Sequence, residues 1–197
     1  MRIPALLLHT HPPTDKTRIE PYFETTSAIL KVQDGCDFFC AYCIVPYARG
    51  PATSRPFREV LDEAARFAGS GFKELVLAGA NIGAYRDGNR TILHLLEALE
   101  ALDTVERVRI SSIEMSTVEY ALIHHMSASA KLCRYLHLPL QTGDDALLKA
   151  MNRRYTRDFY IGLIEQLKSA MPDFCLSLDV MAGFPGETDE NFQNTLS

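Results

Sequence analysis

Two hydrophobic rhythms alternate along the chain from Ala28 onward. Short apolar runs at Ala28–Val32, Glu74–Gly79, Arg107–Ile113, Arg134–Gln141 and Phe174–Met181 read as strands. Between them apolar residues recur at helical spacing. Val60, Leu61, Ala64, Phe67 and Ala68 lead to a stop at Gly69-Ser70-Gly71, and Ile92, Leu95, Leu96, Leu99 and Leu102 follow Thr91 as a cap. Ser116-x-x-Glu119 has the form of a capping box that opens a helix carrying Leu122, Ile123 and Met126. Asp144–Met151 predicts a short helix, Thr156–Ala170 a longer one ended by Pro172, and Thr188 starts another. Strands joined by helical crossovers predict an α/β fold, a parallel sheet with helices on its outside. Five strands fall short of a closed eight-stranded barrel, and the last would leave an unpaired edge. Residues 1–27, rich in Pro, Thr and charge, show no sustained period and read as a linker or remnant.

Composition narrows the class. A chain of 197 residues with 47% hydrophobic and 23% charged residues suits one soluble domain with a sizeable core. A formal charge of -5 argues against a surface that grips nucleic acid everywhere, so any RNA contact is expected to be local. Five Cys, three of them inside eight residues, do not form a disulfide framework and point to a reducing compartment. The first residues have no secretory h-region, and no run is long enough to span a bilayer. The expected location is the cytoplasm, with no membrane partner.

The chemistry concentrates in Asp34–Arg55. Cys36, Cys40 and Cys43 stand at spacing C-x3-C-x2-C, so one loop can turn all three thiolates towards a common centre. A 4Fe-4S cluster held by three cysteines keeps one iron for a ligand that is not protein. Two other readings stay open. A structural zinc site would want a fourth Cys or His, and no His lies between Glu20 and Arg90; inert buried thiols need no partner at all.

The flanks carry a resemblance. Lys31-Val32-Gln33-Asp34-Gly35-Cys36, Cys43-Ile44-Val45-Pro46-Tyr47-Ala48-Arg49-Gly50 and Ser54-Arg55-Pro56 resemble the radical S-adenosylmethionine (SAM) methylthiotransferases, above all the branch that modifies threonylcarbamoyladenosine in tRNA. The resemblance implies an open, partial (β/α)6 TIM-like barrel over residues 28–197, truncated after the fifth strand. It further implies a preceding domain with a second 4Fe-4S cluster and a following RNA-binding module, both missing here. SAM would chelate the open iron of the cluster on Cys36, Cys40 and Cys43. One electron, from a donor such as flavodoxin or ferredoxin, would cleave it to a 5′-deoxyadenosyl radical, and a methylthio group would replace the hydrogen on the adenine's C2 beside the tRNA anticodon. Sibling enzymes acting on isopentenyladenosine or on a ribosomal-protein aspartate, and a metal-stabilised binding module without turnover, are the alternatives.

Ligands of parallel α/β proteins collect at the carboxyl ends of the strands. Gly79 and Asn81 follow the second strand, in a stretch similar to the family's Leu-x-Gly-x-Asn-Ile-Gly; Ala78 replaces its threonine. Ser112 and Glu114 lie in Ser-Ser-Ile-Glu, where Met115 replaces the usual proline. Gln141 lies in His-x-Pro-x-Gln-Thr-Gly and Gly183 in a Gly-Phe-Pro-Gly turn. Of Arg153 and Arg154, which point to different sides of a helix end, at most one reaches inward, and Arg154 is assigned that role. Tyr42, inside the cysteine loop, completes the cofactor-binding set. His137, Cys133 and Cys175 read as core, His9 and His11 as incidental, and Arg49, Arg55 and Arg58 as candidates for RNA phosphate.

Overall fold

A computed structural model describes residues 26–197, so the linker reading of the first residues and the His9/His11 pair lie outside the described residues. Five principal strands appear: β1 (Ser27–Lys31), β2 (Glu74–Ala78), β3 (Arg107–Ile110), β4 (Tyr135–His137) and β5 (Cys175–Ser177). β1, β2 and β3 pair in parallel, with Leu30 opposite Leu77 and Leu77 opposite Ile110. β4 and β5 pair in parallel with Leu136 opposite Leu176, and bridges at Val108–Leu132 and Ser112–His137 join them to β3. Neighbours in space are thus neighbours in sequence. That order winds the sheet one way, as in part of a (β/α) barrel.

Among the described residues seven α-helices accompany the strands: α1 (Val45–Arg49), α2 (Phe57–Gly69), α3 (Ile92–Glu100), α4 (Tyr120–Ala128), α5 (Asp145–Ala150), α6 (Arg157–Ala170) and α7 (Asp189–Leu196). Leu30, Leu75, Leu77, Val108, Ile110 and Leu136 are all buried, and join Val60 and Ala64 of α2, Leu95, Leu96 and Leu99 of α3, Leu122 of α4 and Leu163 of α6 in one core. Each fully buried aliphatic side chain of this kind contributes roughly 2 kcal/mol. The alternate positions Ile29, Lys31, Val76, Ala78, Arg109, Tyr135 and His137 face the other side and stay partly exposed. The period of two therefore separates a sealed outer face from a wet concave one.

The caps Asp144, Thr156 and Thr188 accept from backbone N–H groups of Leu147, Phe159 and Asn191, as their sequence positions predict. The Ser116 capping box does not form. Thr117 instead donates to the Glu114 carbonyl at 2.6 Å, closing a 3₁₀ turn over Met115–Thr117, and α4 starts after Glu119. β4 is shorter than its apolar run because Pro139 has no N–H to give and Gln141 adopts φ +68°. Cys175 is exposed rather than core: β5 is an edge strand among the described residues. No described helix is long and apolar enough to cross a membrane.

Candidate cofactor site at the strand mouth

The cysteine loop leaves β1 through a tight turn that only glycine allows. Gly35 has φ +68°, and a Cβ there would stand 2.0 Å from the Pro51 carbonyl oxygen. Buried Gln33 ties this turn to the loop after β2: its amide donates to the Asp34 and Gly35 carbonyls at 2.6 and 2.8 Å and accepts from the Asn81 N–H at 2.8 Å. Asp34 takes Lys31 at 2.6 Å and Arg49 at 3.0 Å, and the bond from Lys31 above all holds its carboxyl down at about 2. A distant segment clasps the loop from the other side. The Ala41 N–H donates to the Met151 carbonyl at 3.0 Å, and the Asn152 amide donates to the carbonyls of Phe38 and Phe39 at 3.2 and 2.9 Å.

Held this way, Cys36, Cys40 and Cys43 all line one cavity at the carboxyl ends of the strands. All three are free thiols; Cys40 is buried, the others half-buried, and burial pushes the Cys36 thiol up. Among the described residues no group of three or more His, Cys, Asp or Glu is arranged to hold a metal ion. A cubane places its protein ligands on separate irons, so it asks the thiolates to share a cavity rather than to meet at a point.

Tyr42, Asn81, Ser112, Glu114 and Gln141 line the same cavity, together with Phe38, Ile113 and Pro139. Asn81 is 3% exposed, and its Oδ1 has no hydrogen-bond partner among the described residues. A buried acceptor left unpaired costs about 1–3 kcal/mol, which a donor group on a ligand in the cavity would recover. Three thiols and an orphaned acceptor around one space fit a cluster with an open position filled by an amine-bearing ligand. Burial, above all, raises the Tyr42 hydroxyl beyond its ordinary value.

Three of the assigned residues lie outside the cavity. Arg153, not Arg154, reaches inward: it lines the cavity and donates to Glu114 Oε2 at 2.6 Å, to Cys40 Sγ at 3.3 Å and, through Nε, to the Tyr155 hydroxyl at 3.0 Å. Arg154 lies 4.7 Å over the Phe38 ring and donates to the Asp37 carbonyl at 3.2 Å, at the surface. Gly183 is exposed and outside the cavity, its N–H turned to the Glu187 carboxylate, and Gly79 lines a neighbouring groove, where its missing Cβ leaves room for Gln33. Burial raises Glu114 above the ordinary carboxylate range even with Arg153 beside it. Arg153, in turn, keeps its proton more firmly than usual: burial works against its charge, but Glu114, Tyr155, Cys40 and Tyr42 together outweigh it.

His137 is more than packing. Its Nδ1 lies 2.6 Å from the Ser112 hydroxyl and its Nε2 3.3 Å from Asp179, so it braces a cavity residue. Arg55 is internal, paired with Glu63 at 2.5 Å, and Arg49 is paired with Asp34; Arg58 stays exposed. One part of the cue for Arg153 is local. Tyr155, two residues on, is buried with its hydroxyl on the Leu140 carbonyl at 2.7 Å, and it draws the arginine of matching orientation inward.

The profile of the radical SAM superfamily matches residues 30–197. The chain belongs to that superfamily. It is 40% identical over 179 residues to the threonylcarbamoyladenosine tRNA methylthiotransferase MtaB of Chlamydia pneumoniae, covering 91% of this chain and 42% of that protein. It is 46% identical over 175 residues to the tRNA-2-methylthio-N(6)-dimethylallyladenosine synthase of Roseobacter denitrificans, covering 86% of this chain and 40% of that protein. The chain thus spans about two fifths of the length of these relatives. Among solved structures it matches the radical SAM methyltransferase TsrM of Kitasatospora setae with TM-score 0.70 at 16% identity, over 86% of this chain and 33% of that one. The cobalamin-dependent radical SAM enzyme OxsB follows with TM-score 0.64 at 15% identity, over 85% of this chain and 25% of that one. At those identities the structures bear on the fold alone.

Proposed function

We propose that this radical SAM chain is the core of a tRNA methylthiotransferase that places a methylthio group on C2 of N6-threonylcarbamoyladenosine beside the anticodon. The observation that carries the reading is the shared cavity of Cys36, Cys40 and Cys43 with the unpaired acceptor of Asn81 at its wall. When bound, a 4Fe-4S cluster and SAM supply one-electron cleavage chemistry. The chain's own residues do the rest by placement. The three thiolates hold the cluster, Asn81 Oδ1 accepts from the cofactor's amine, Ser112 and Gln141 offer hydrogen bonds to its sugar or base, and Phe38, Ile113 and Pro139 keep water out. The electron comes from a protein such as flavodoxin or ferredoxin. A second 4Fe-4S cluster would supply the sulfur that is inserted.

Anaerobic reconstitution with iron and sulfide analysis tests the core of this reading. The wild-type chain is expected to hold a full 4Fe-4S complement and to release 5′-deoxyadenosine from SAM and dithionite; Cys40→Ala is expected to lose the iron. Unchanged iron in Cys40→Ala would falsify the ligand assignment. The relative acting on dimethylallyladenosine, at 46% identity, supports a second substrate reading. Nucleoside analysis of tRNA modified by the protein decides between them: 2-methylthio on the threonylcarbamoyl base supports the first, on the dimethylallyl base the second.

A further inference from the structure

Cys40 differs from its two companions. It is the buried one, and the Arg153 guanidinium, 113 residues away in sequence, donates to its sulfur at 3.3 Å. That side chain is 6% exposed; its Nη2 donates to Glu114 and its Nε to the Tyr155 hydroxyl, which is itself anchored on the Leu140 carbonyl. The guanidinium is therefore held in place from two sides and cannot swing to a new partner without breaking both.

A charged donor on a sulfur ligand has a definite electrical effect. Reduction adds one negative charge to a cluster, and a fixed cation within hydrogen-bond reach of a ligating sulfur stabilises the reduced form more than the oxidised one. In a site away from water that preference is weakly screened. Glu114, 2.6 Å from the same guanidinium, cancels part of the charge. We propose that Arg153 is a positioning residue that orients the Cys40 sulfur and raises the reduction potential of the cluster, and that Glu114 sets how much of the arginine's charge the cluster feels. This rests on the reading of Cys36, Cys40 and Cys43 as cluster ligands. It makes the three thiolates inequivalent, since Arg153 donates to Cys40 alone of the three among the described residues.

The test is a redox titration of the anaerobically reconstituted chain with dithionite, followed by electron paramagnetic resonance, on wild type, Arg153→Gln, Arg153→Lys and Glu114→Gln. Arg153→Gln is expected to titrate at a more negative potential than wild type and Glu114→Gln at a more positive one. Arg153→Lys, which keeps the charge but not the planar fork, is expected to fall between Arg153→Gln and wild type. Opposite shifts are a signature that loosened packing does not produce. Should Arg153→Gln fail to load iron, Glu114→Gln still decides. A potential in Glu114→Gln no higher than wild type, or in a loaded Arg153→Gln no lower, overturns the inference while leaving the cluster reading intact. A wild-type chain that takes up no cluster overturns both.

Discussion

Two buried carboxylates with arginine partners sit at opposite ends of the strands, and they behave in opposite ways. Glu74, at the start of β2, is shared between Arg109 at 2.8 Å and Arg107 at 3.0 Å, whose side chains are 34% and 49% exposed. Burial works against its charge, but the two arginines win and its carboxyl lies below the ordinary range. Glu114, past the end of β3, has one arginine at 2.6 Å, and there burial wins and the carboxyl lies above it. Similar pair chemistry thus gives a settled anion where two cations share it at the wet end, and a strained one where a single cation meets it in the dry mouth.

The largest effect that would break this contrast is at the mouth. Arg153→Met leaves a buried carboxylate without its cation and is expected to cost about 3–5 kcal/mol in urea unfolding, much of it recovered by adding Glu114→Gln. No recovery in the double variant would mean that the pair does not act as a unit. At the other end, Glu74→Gln is expected to cost about 2 kcal/mol, since its arginines keep water as a partner.

The pH dependence sharpens the comparison. Because the folded Glu74 carboxyl is lowered, its stabilisation is present above the ordinary glutamate value near about 4.3 and is lost as pH falls through the folded value. For Glu114 the folded value is raised, so its contribution is present below about 4.3 and is lost as pH rises through the folded value. Unfolding free energies measured across pH are expected to show Glu74→Gln flattening the acid limb and Glu114→Gln flattening the limb above it. A Glu114→Gln curve parallel to wild type would remove the distinction. The smallest effect is at the surface: Arg154→Ala gives up a ring stack and one carbonyl bond and is expected to cost less than about 1 kcal/mol. A cost equal to that of Arg153→Met would reverse the assignment of the two arginines.

What the sequence made legible was whatever depends on local period or spacing. The strands, α2, α3, α6 and the caps Asp144, Thr156 and Thr188 follow from apolar rhythm and short-range hydrogen bonding, and the three cysteines share a cavity because one short loop carries them. What it hid depends on packing between distant segments. The orientation of Arg153 is decided by Tyr155, Glu114 and Cys40 together, and no window around Met151–Thr156 contains the last two. Arg55, by its position a candidate for RNA phosphate, is instead folded against Glu63, eight residues further on. The Ser116 capping box failed for a similar reason, because the wholly buried Met115 and the Thr117 hydroxyl favour a tighter turn at that point. Cys175 looked like core because an edge strand and a central strand carry the same pattern.

The side chain of Gln33 has a mechanical meaning beyond its hydrogen bonds. One carboxamide spans the root of the cysteine loop and the backbone at Asn81, so a pull felt at either loop is handed on to its neighbour without slack. Seating a small molecule against the asparagine would therefore stiffen the sulfur-bearing loop as well, and the rim of the mouth responds as a single piece.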